Sequence, residues 1–116
     1  MNYRLTAWLL LTTFAGILCG CHSDEFVART FQASFKEQFV AACGDQPSCR
    51  QAVETYGDGC FDPNLAIETF KAAQPKKRQL NSTHILAFQA CIAQKARTDY
   101  WAGMDMPAIM LDKGGS

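Results

Sequence analysis

Val27, Phe31, Phe35, Phe39 and Cys43 put an apolar residue at every fourth position. That spacing commits the segment to a helix with one buried face. Phe26 and Val40 widen the stripe, while Arg29, Gln32, Lys36 and Glu37 fall on the outward side. Ser23 can cap this helix, and the acidic pair Asp24-Glu25 suits the positive end of its dipole. Gly44 follows as a natural terminator. The pattern predicts a helix over 24–43.

Three further helices follow from the same kind of reading. After the turn Gly44-Asp45-Gln46-Pro47, the residues Cys49, Ala52, Val53 and Tyr56 recur at helical spacing. Gly57-Asp58-Gly59 reads as the end of that helix. Asp62-Pro63 reads as a cap and a first helical residue, with Leu65, Ala66, Ile67 and Phe70 facing inward. Gln74-Pro75 stops the third helix, because the residue before proline is pushed out of the α region. Asn81, Ser82 and Thr83 then offer caps for a fourth helix carrying Ile85, Leu86, Phe88, Cys91, Ile92 and Ala96, running to about Trp101. Asn81-Ser82-Thr83 also matches a glycosylation acceptor, but the cap is the preferred reading. No run of alternating β-branched residues predicts a strand. The expected fold is all-α: a small bundle of four helices over 24–103, with 104–116 as a short fifth helix or an apolar tail.

The N-terminus carries an address. Arg4 precedes an apolar run from Leu5 to Leu18, and Leu18-Cys19-Gly20-Cys21 follows it. A basic start, a short apolar run and a small residue before a cut form a secretory signal. The run is shorter than the roughly 20 apolar residues a membrane-spanning helix needs. The stretch resembles a bacterial lipoprotein signal, carried by Leu18, Gly20 and Cys21, with Cys19 where a small Ala or Ser is usual. The resemblance covers only the first 21 residues. It implies cleavage after Gly20 (residues 1–20), lipid attachment at Cys21 with residues 21–23 as the anchor, and fatty-acyl chains such as palmitate. Several acyl chains anchor stably where one does not. His22, not Asp, follows Cys21, which implies sorting to the periplasmic side of the outer membrane.

Loss of that signal leaves roughly 100 residues, enough for one domain. Eleven Lys and Arg match eleven Asp and Glu in the whole chain. Losing Arg4 tips the balance one unit negative, so there is no electrostatic case for nucleic acid. The one basic cluster, Lys76-Lys77-Arg78, lies in a Pro-flanked connection and reads as a solvated loop, with anionic headgroups or an acidic partner as the alternative contact.

Of six cysteines, Cys19 leaves with the signal and Cys21 takes lipid, so Cys43, Cys49, Cys60 and Cys91 remain. An even number in a small exported chain reads as a disulfide framework, which a domain of this size needs. Three pairings exist. Cys49 and Cys60 sit at opposite ends of the second helix, about 16 Å apart, beyond disulfide reach. Cys43 ends one helix and Cys49 begins the next across a short turn, which favours Cys43–Cys49 and leaves Cys60–Cys91. Cys43–Cys60 with Cys49–Cys91 ranks below. A zinc site would take ligand pairs two to four residues apart, a spacing these cysteines lack. Cys19-Gly20-Cys21-His22 is one residue short of a haem-attachment motif.

Nothing in the chain forms a catalytic motif. No Gly-rich phosphate loop, His-Glu-x-x-His or Gly-x-Ser-x-Gly is present. His22 adjoins the acylated residue, and His84 reads as an incidental, partly exposed helical histidine. Glu54, Asp58, Asp62 and Glu68 cluster around the second and third helices, where capping and solvation outweigh glycan hydrolysis as their role. No metal or cofactor is expected. Tyr100, Trp101, Met106 and Met110 stand apart, since aromatics and methionines are enriched at binding surfaces. They are the candidate partner surface, or else the tail closes the end of the bundle. The expectation is a membrane-anchored, non-enzymatic module that binds another envelope or secreted protein. Two kinds of tethered helical protein of this size fit by architecture alone: periplasmic immunity proteins and pilotins that escort secretion subunits. A minor peptidoglycan-acting enzyme ranks below both.

Overall fold

The computed structural model of the chain describes residues 23–113. Five helices follow one another: α1 Asp24–Ala42, α2 Pro47–Cys60, α3 Pro63–Lys71, α4 Lys76–Ala96 and α5 Met106–Lys113. Among the described residues there is no strand. The expected signal over 1–20 and the expected anchor residues Cys21 and His22 lie outside the described residues, while Ser23 lies within them.

α1 begins as its sequence dictates. The Ser23 hydroxyl accepts from the Phe26 N–H at 3.3 Å, and Asp24 and Glu25 occupy the first turn. At its other end Gly44 adopts a positive φ of 61° and donates to the Ala41 carbonyl. This left-handed residue reverses the chain into α2 at little steric cost. α2 and α3 together run back along α1. Lys36 meets Glu54 and Asp58 near the end of α2, and Lys71 at the end of α3 meets Asp24 at the start of α1. α4 then runs the length of the bundle, packing on α2 and α3, and α5 folds back against α4.

The core is aromatic. Phe35 touches Phe61, His84 and Phe88, and Phe39 touches Phe88 and Trp101. Val53, Ala66, Ile85 and Ile92 fill the space between these rings and are fully buried. Two disulfides close the structure, Cys43–Cys49 across the α1–α2 turn and Cys60–Cys91 from the end of α2 to the middle of α4.

Several expectations are corrected by this packing. α2 continues through Gly57-Asp58-Gly59 to Cys60, because Lys36 and Gln32 hold Asp58 against α1. α4 starts at Lys76, so the basic cluster is its first turn and not a loop. Asn81, Ser82 and Thr83 lie inside the helix, where the Thr83 hydroxyl donates to the Gln79 carbonyl. α4 ends at Arg97, which takes a left-handed φ of 60°, short of the expected Trp101. Phe26 and Phe70 face outward, 58 % and 51 % exposed, and Leu86 is 53 % exposed. On α3 the buried positions are Ala66 and Thr69, and Leu65 and Ile67 are half-buried. His84 is buried, not partly exposed.

Candidate partner-binding groove

Of the four residues expected to form a partner surface, three belong to the core. Trp101 and Met106 are fully buried and Met110 nearly so. The C-terminal segment is drawn in because Trp101 fills the space beside Phe39, and Asp105 then starts α5 by accepting from the Ala108 N–H at 3.2 Å. Only Tyr100 stays half-exposed.

Tyr100 is held by a tight turn. After the left-handed Arg97, the Asp99 carboxylate accepts from the Trp101 N–H at 3.0 Å and from the Gln89 amide at 3.1 Å. With Trp101 pinned in the core, the Tyr100 ring stands edge-on to it at 6.0 Å between centroids. Opposite lies α2, whose buried side carries Cys49, Ala52, Val53 and Gly57. Ser48, Gln51, Thr55 and Tyr56 share the adjoining face, as the helical period requires.

The two elements enclose a groove of about 340 Å³ lined by Ser48, Gln51, Ala52, Thr55, Tyr56, Ala96 and Tyr100. Its walls are hydroxyls, one amide and two tyrosine rings, and its alanines leave room for a ligand. No charged side chain lines it. Such a surface can hydrogen-bond and stack but offers no acid–base pair. Its apolar period alone puts Tyr56 on the core face of α2. The polar set Ser48, Gln51 and Thr55 on the same face is the signal that marks its half-exposed edge.

This groove lies at the hairpin end of the bundle. α1 spans 19 residues, about 28 Å, between Ser23 and the α1–α2 turn. Ser48 follows that turn directly. The groove and the chain's entry at Ser23 are therefore at opposite poles.

The carboxylates considered for glycan hydrolysis sit in other roles. Asp58 is hydrogen-bonded by the Lys36 ammonium and the Gln32 amide, which hold its carboxyl below the usual carboxylate range. Glu54 is an exposed partner of the same lysine. Asp62 caps α3 through the Leu65 N–H at 3.1 Å. Glu68 lies on α3, on the rim of an open depression with Lys71 and Lys76.

His84 accepts from the Asp62 backbone N–H through Nε2 at 3.1 Å, between the rings of Phe35 and Phe61. A backbone N–H can only donate, so Nε2 is unprotonated and the neutral ring carries its proton on Nδ1. Nδ1 is buried without a hydrogen-bond partner. Burial pushes the His84 pKa below the ordinary value of 6.5, opposed in part by the Asp62 carboxylate. Its role in this geometry is to join α4 to the start of α3.

Among the described residues, no three His, Cys, Asp or Glu side chains are grouped to hold a metal ion, and no helix is long and apolar enough to cross a membrane. Comparison with protein-family models, with curated proteins and with solved structures finds no match to this chain.

Proposed function

We propose that this chain is a lipid-anchored protein of the bacterial cell envelope, tethered through Cys21, that binds another protein without catalysing a reaction. The observation that carries the binding role is the uncharged groove between Tyr56 and Tyr100, at the pole away from Ser23. A tethered domain that presents a groove at its distal end can meet a partner in the periplasm without lifting off the membrane. Tyrosines supply amphipathic contact area with few rotatable bonds to freeze.

The lining also bears on the kind of partner. A pilotin-like escort takes the apolar face of a helix, which requires an apolar floor and walls. Hydroxyl, amide and tyrosine walls suit instead a partner segment that hydrogen-bonds and stacks against them. The reading is therefore a module that takes a polar partner segment into this groove, with the immunity and escort roles as its two alternatives.

The test is affinity capture from envelope extracts with the tethered full-length protein as bait, compared with the double variant Tyr56→Ser/Tyr100→Ser. One partner enriched by the wild type and depleted at least about tenfold by the double variant is expected, as befits aromatic contacts at an interface. A toxin encoded beside this gene, captured in this way, would identify the immunity role. Equal capture by both forms would exclude the groove. Peptidoglycan degradation by the purified protein, abolished by Glu54→Gln or Glu68→Gln, would replace binding with catalysis.

A further inference from the structure

The pole at which the chain enters the bundle has an unusual surface. Phe26, in the first turn of α1, and Phe70, in the last turn of α3, are more than half exposed. The Asp24–Lys71 ion pair, 3.5 Å, brings these two helix ends together. The first turn of α4 adjoins them, with the Lys77 ammonium 5.9 Å above the Phe70 ring. Two large apolar side chains from separate helices thus face water at one end of the molecule.

The carboxylates of this pole in α1, Asp24 and Glu25, are answered by Lys71 and Arg29, and the first turn of α4 is basic. α4 opens with Lys76, Lys77 and Arg78, with no acidic residue in its first turn and no side-chain cap. Cations at a helix N-terminus are repelled by the positive end of its dipole. Asp112 answers Arg78 at 2.7 Å, but among the described residues no carboxylate pairs with Lys76 or Lys77. Between α3 and α4 lies an open depression of about 500 Å³, with Ala72, Ala73 and Leu80 as its apolar lining and Lys71 and Lys76 on its rim. Glu68 is the one carboxylate there. Exposed apolar side chains beside the Lys76 and Lys77 ammoniums, which have no carboxylate partner among the described residues, match the boundary between acyl chains and anionic headgroups.

We infer that this pole, formed by the first turn of α1, the last turn of α3 and the first turn of α4, rests on an anionic phospholipid surface. The position of the chain's entry commits the surface to this occupant. Ser23 caps α1, and Cys21 is two residues earlier, at most about 7 Å of chain away. A lipid on Cys21 would leave the domain no spacer, so this pole must meet whatever membrane holds the anchor. Phe26 and Phe70 then enter the interfacial layer, while Lys76 and Lys77 find the phosphates that the fold itself does not supply. The groove between Tyr56 and Tyr100 is left facing the periplasm. The inference rests on the anchored reading for its biology, but the affinity of the surface is testable without the acyl chains.

The experiment uses the processed chain from residue 21 carrying Cys21→Ser, which contains the whole core and both disulfides. Its cosedimentation is measured with vesicles of phosphatidylethanolamine and phosphatidylglycerol, and with vesicles of phosphatidylcholine alone. Binding to the anionic vesicles is expected, with a loss of about tenfold in Phe26→Ser/Phe70→Ser and of about fivefold in Lys76→Gln. Leu86→Ser, equally exposed but ten residues into α4, should bind as the parent does. Circular dichroism and the buried Trp101 emission establish that each variant is folded. No binding to anionic vesicles, or equal losses in the Phe70 and Leu86 variants, would overturn the inference. So would a concentration-dependent dimer abolished by Phe26→Ser/Phe70→Ser, which would assign the pole to a second copy. A failure of lipid attachment at Cys21 would appear in acyl labelling and leave these outcomes unchanged.

Discussion

The indole Nε1 of Trp101 donates to the backbone carbonyl of Phe39 at 3.3 Å, across 62 residues of sequence. The bond answers a need created at the end of α1. There the Cys43 N–H turns to the Val40 carbonyl in a tighter pattern, which releases the Phe39 carbonyl from the four-residue ladder. Trp101 satisfies it from the other end of the chain while its ring packs edge-on against Phe39 at 4.9 Å. Trp101→Phe keeps much of the buried ring and loses the hydrogen bond, costing about 1–3 kcal/mol. Trp101→Ala also opens a cavity, and is expected to cost about 3–5 kcal/mol. Denaturant midpoints of the two variants should fall in that order. A Trp101→Phe midpoint equal to that of the wild type would remove the hydrogen bond from the account.

The two disulfides should contribute unequally. On the loop-entropy argument, a separation of 6 residues for Cys43–Cys49 gives about 2 kcal/mol, and one of 31 for Cys60–Cys91 about 3.5 kcal/mol. Cys91→Ser is therefore expected to lower the thermal midpoint well below that of Cys49→Ser. Differential scanning calorimetry of both variants checks the ranking, and a reversed order would contradict it.

His84 makes stability depend on pH in a definite direction. Its folded pKa lies below the ordinary 6.5, so on acidification the unfolded chain takes up a proton that the folded chain refuses. Stability is fully present above about pH 7.5 and falls as pH drops through 6.5 toward the lowered value. The slope is at most about 1.4 kcal/mol per pH unit. Protonated Nε2 would also confront the Asp62 N–H, donor against donor. Urea midpoints measured from pH 7.5 to 5.5 should decline in the wild type and much less in His84→Gln, whose side-chain oxygen can accept the same bond. Parallel declines would assign the slope to other groups.

Gly57 and Gly59 lie within α2 and weaken it. A Cβ on Gly59 meets nothing within 4 Å, and one on Gly57 would come nearest to Lys36 Cγ at 3.4 Å and Phe88 Cζ at 3.6 Å. Gly59→Ala should stabilise by about 0.5–1 kcal/mol through helix propensity and a less mobile unfolded chain. Gly57→Ala should be close to this, since the Lys36 stem can yield. Gly57→Leu, which must displace Phe88, should destabilise by about 1–3 kcal/mol. Chemical denaturation of the three variants gives the signs directly.

What could be read in advance was what local chemistry decides. Ser23 and Asp62-Pro63 start helices through their own side chains or ring, and Gly44 ends one through its φ. The length of α2 separates Cys49 from Cys60 and excludes one of the three disulfide pairings, and the short α1–α2 turn favours the observed Cys43–Cys49 over Cys43–Cys60. The misread features depend on distant partners. Nothing near Lys76 marks a helix start, and Asn81-Ser82-Thr83 imitates one five residues later. Arg97 ends α4 in a conformation that sequence reserves for glycine. Trp101 and the tail read equally as a partner surface or as the closing end of the bundle, and the contact that goes with the second lies 62 residues away. A wide apolar stripe does not reveal its own edges, which is why Phe26, Phe70 and Leu86 were placed inside. Of the groove, only Tyr100 was anticipated.

The account depends above all on the proposed lipid at Cys21, since that attachment would put one pole on the membrane and leave the tyrosine groove free. Cells expressing the full chain are grown with radiolabelled palmitate, and the protein is isolated from wild type and from Cys21→Ser. Label in the wild type and none in Cys21→Ser is the predicted result. Label that survives the substitution, or no label in either form, would contradict it.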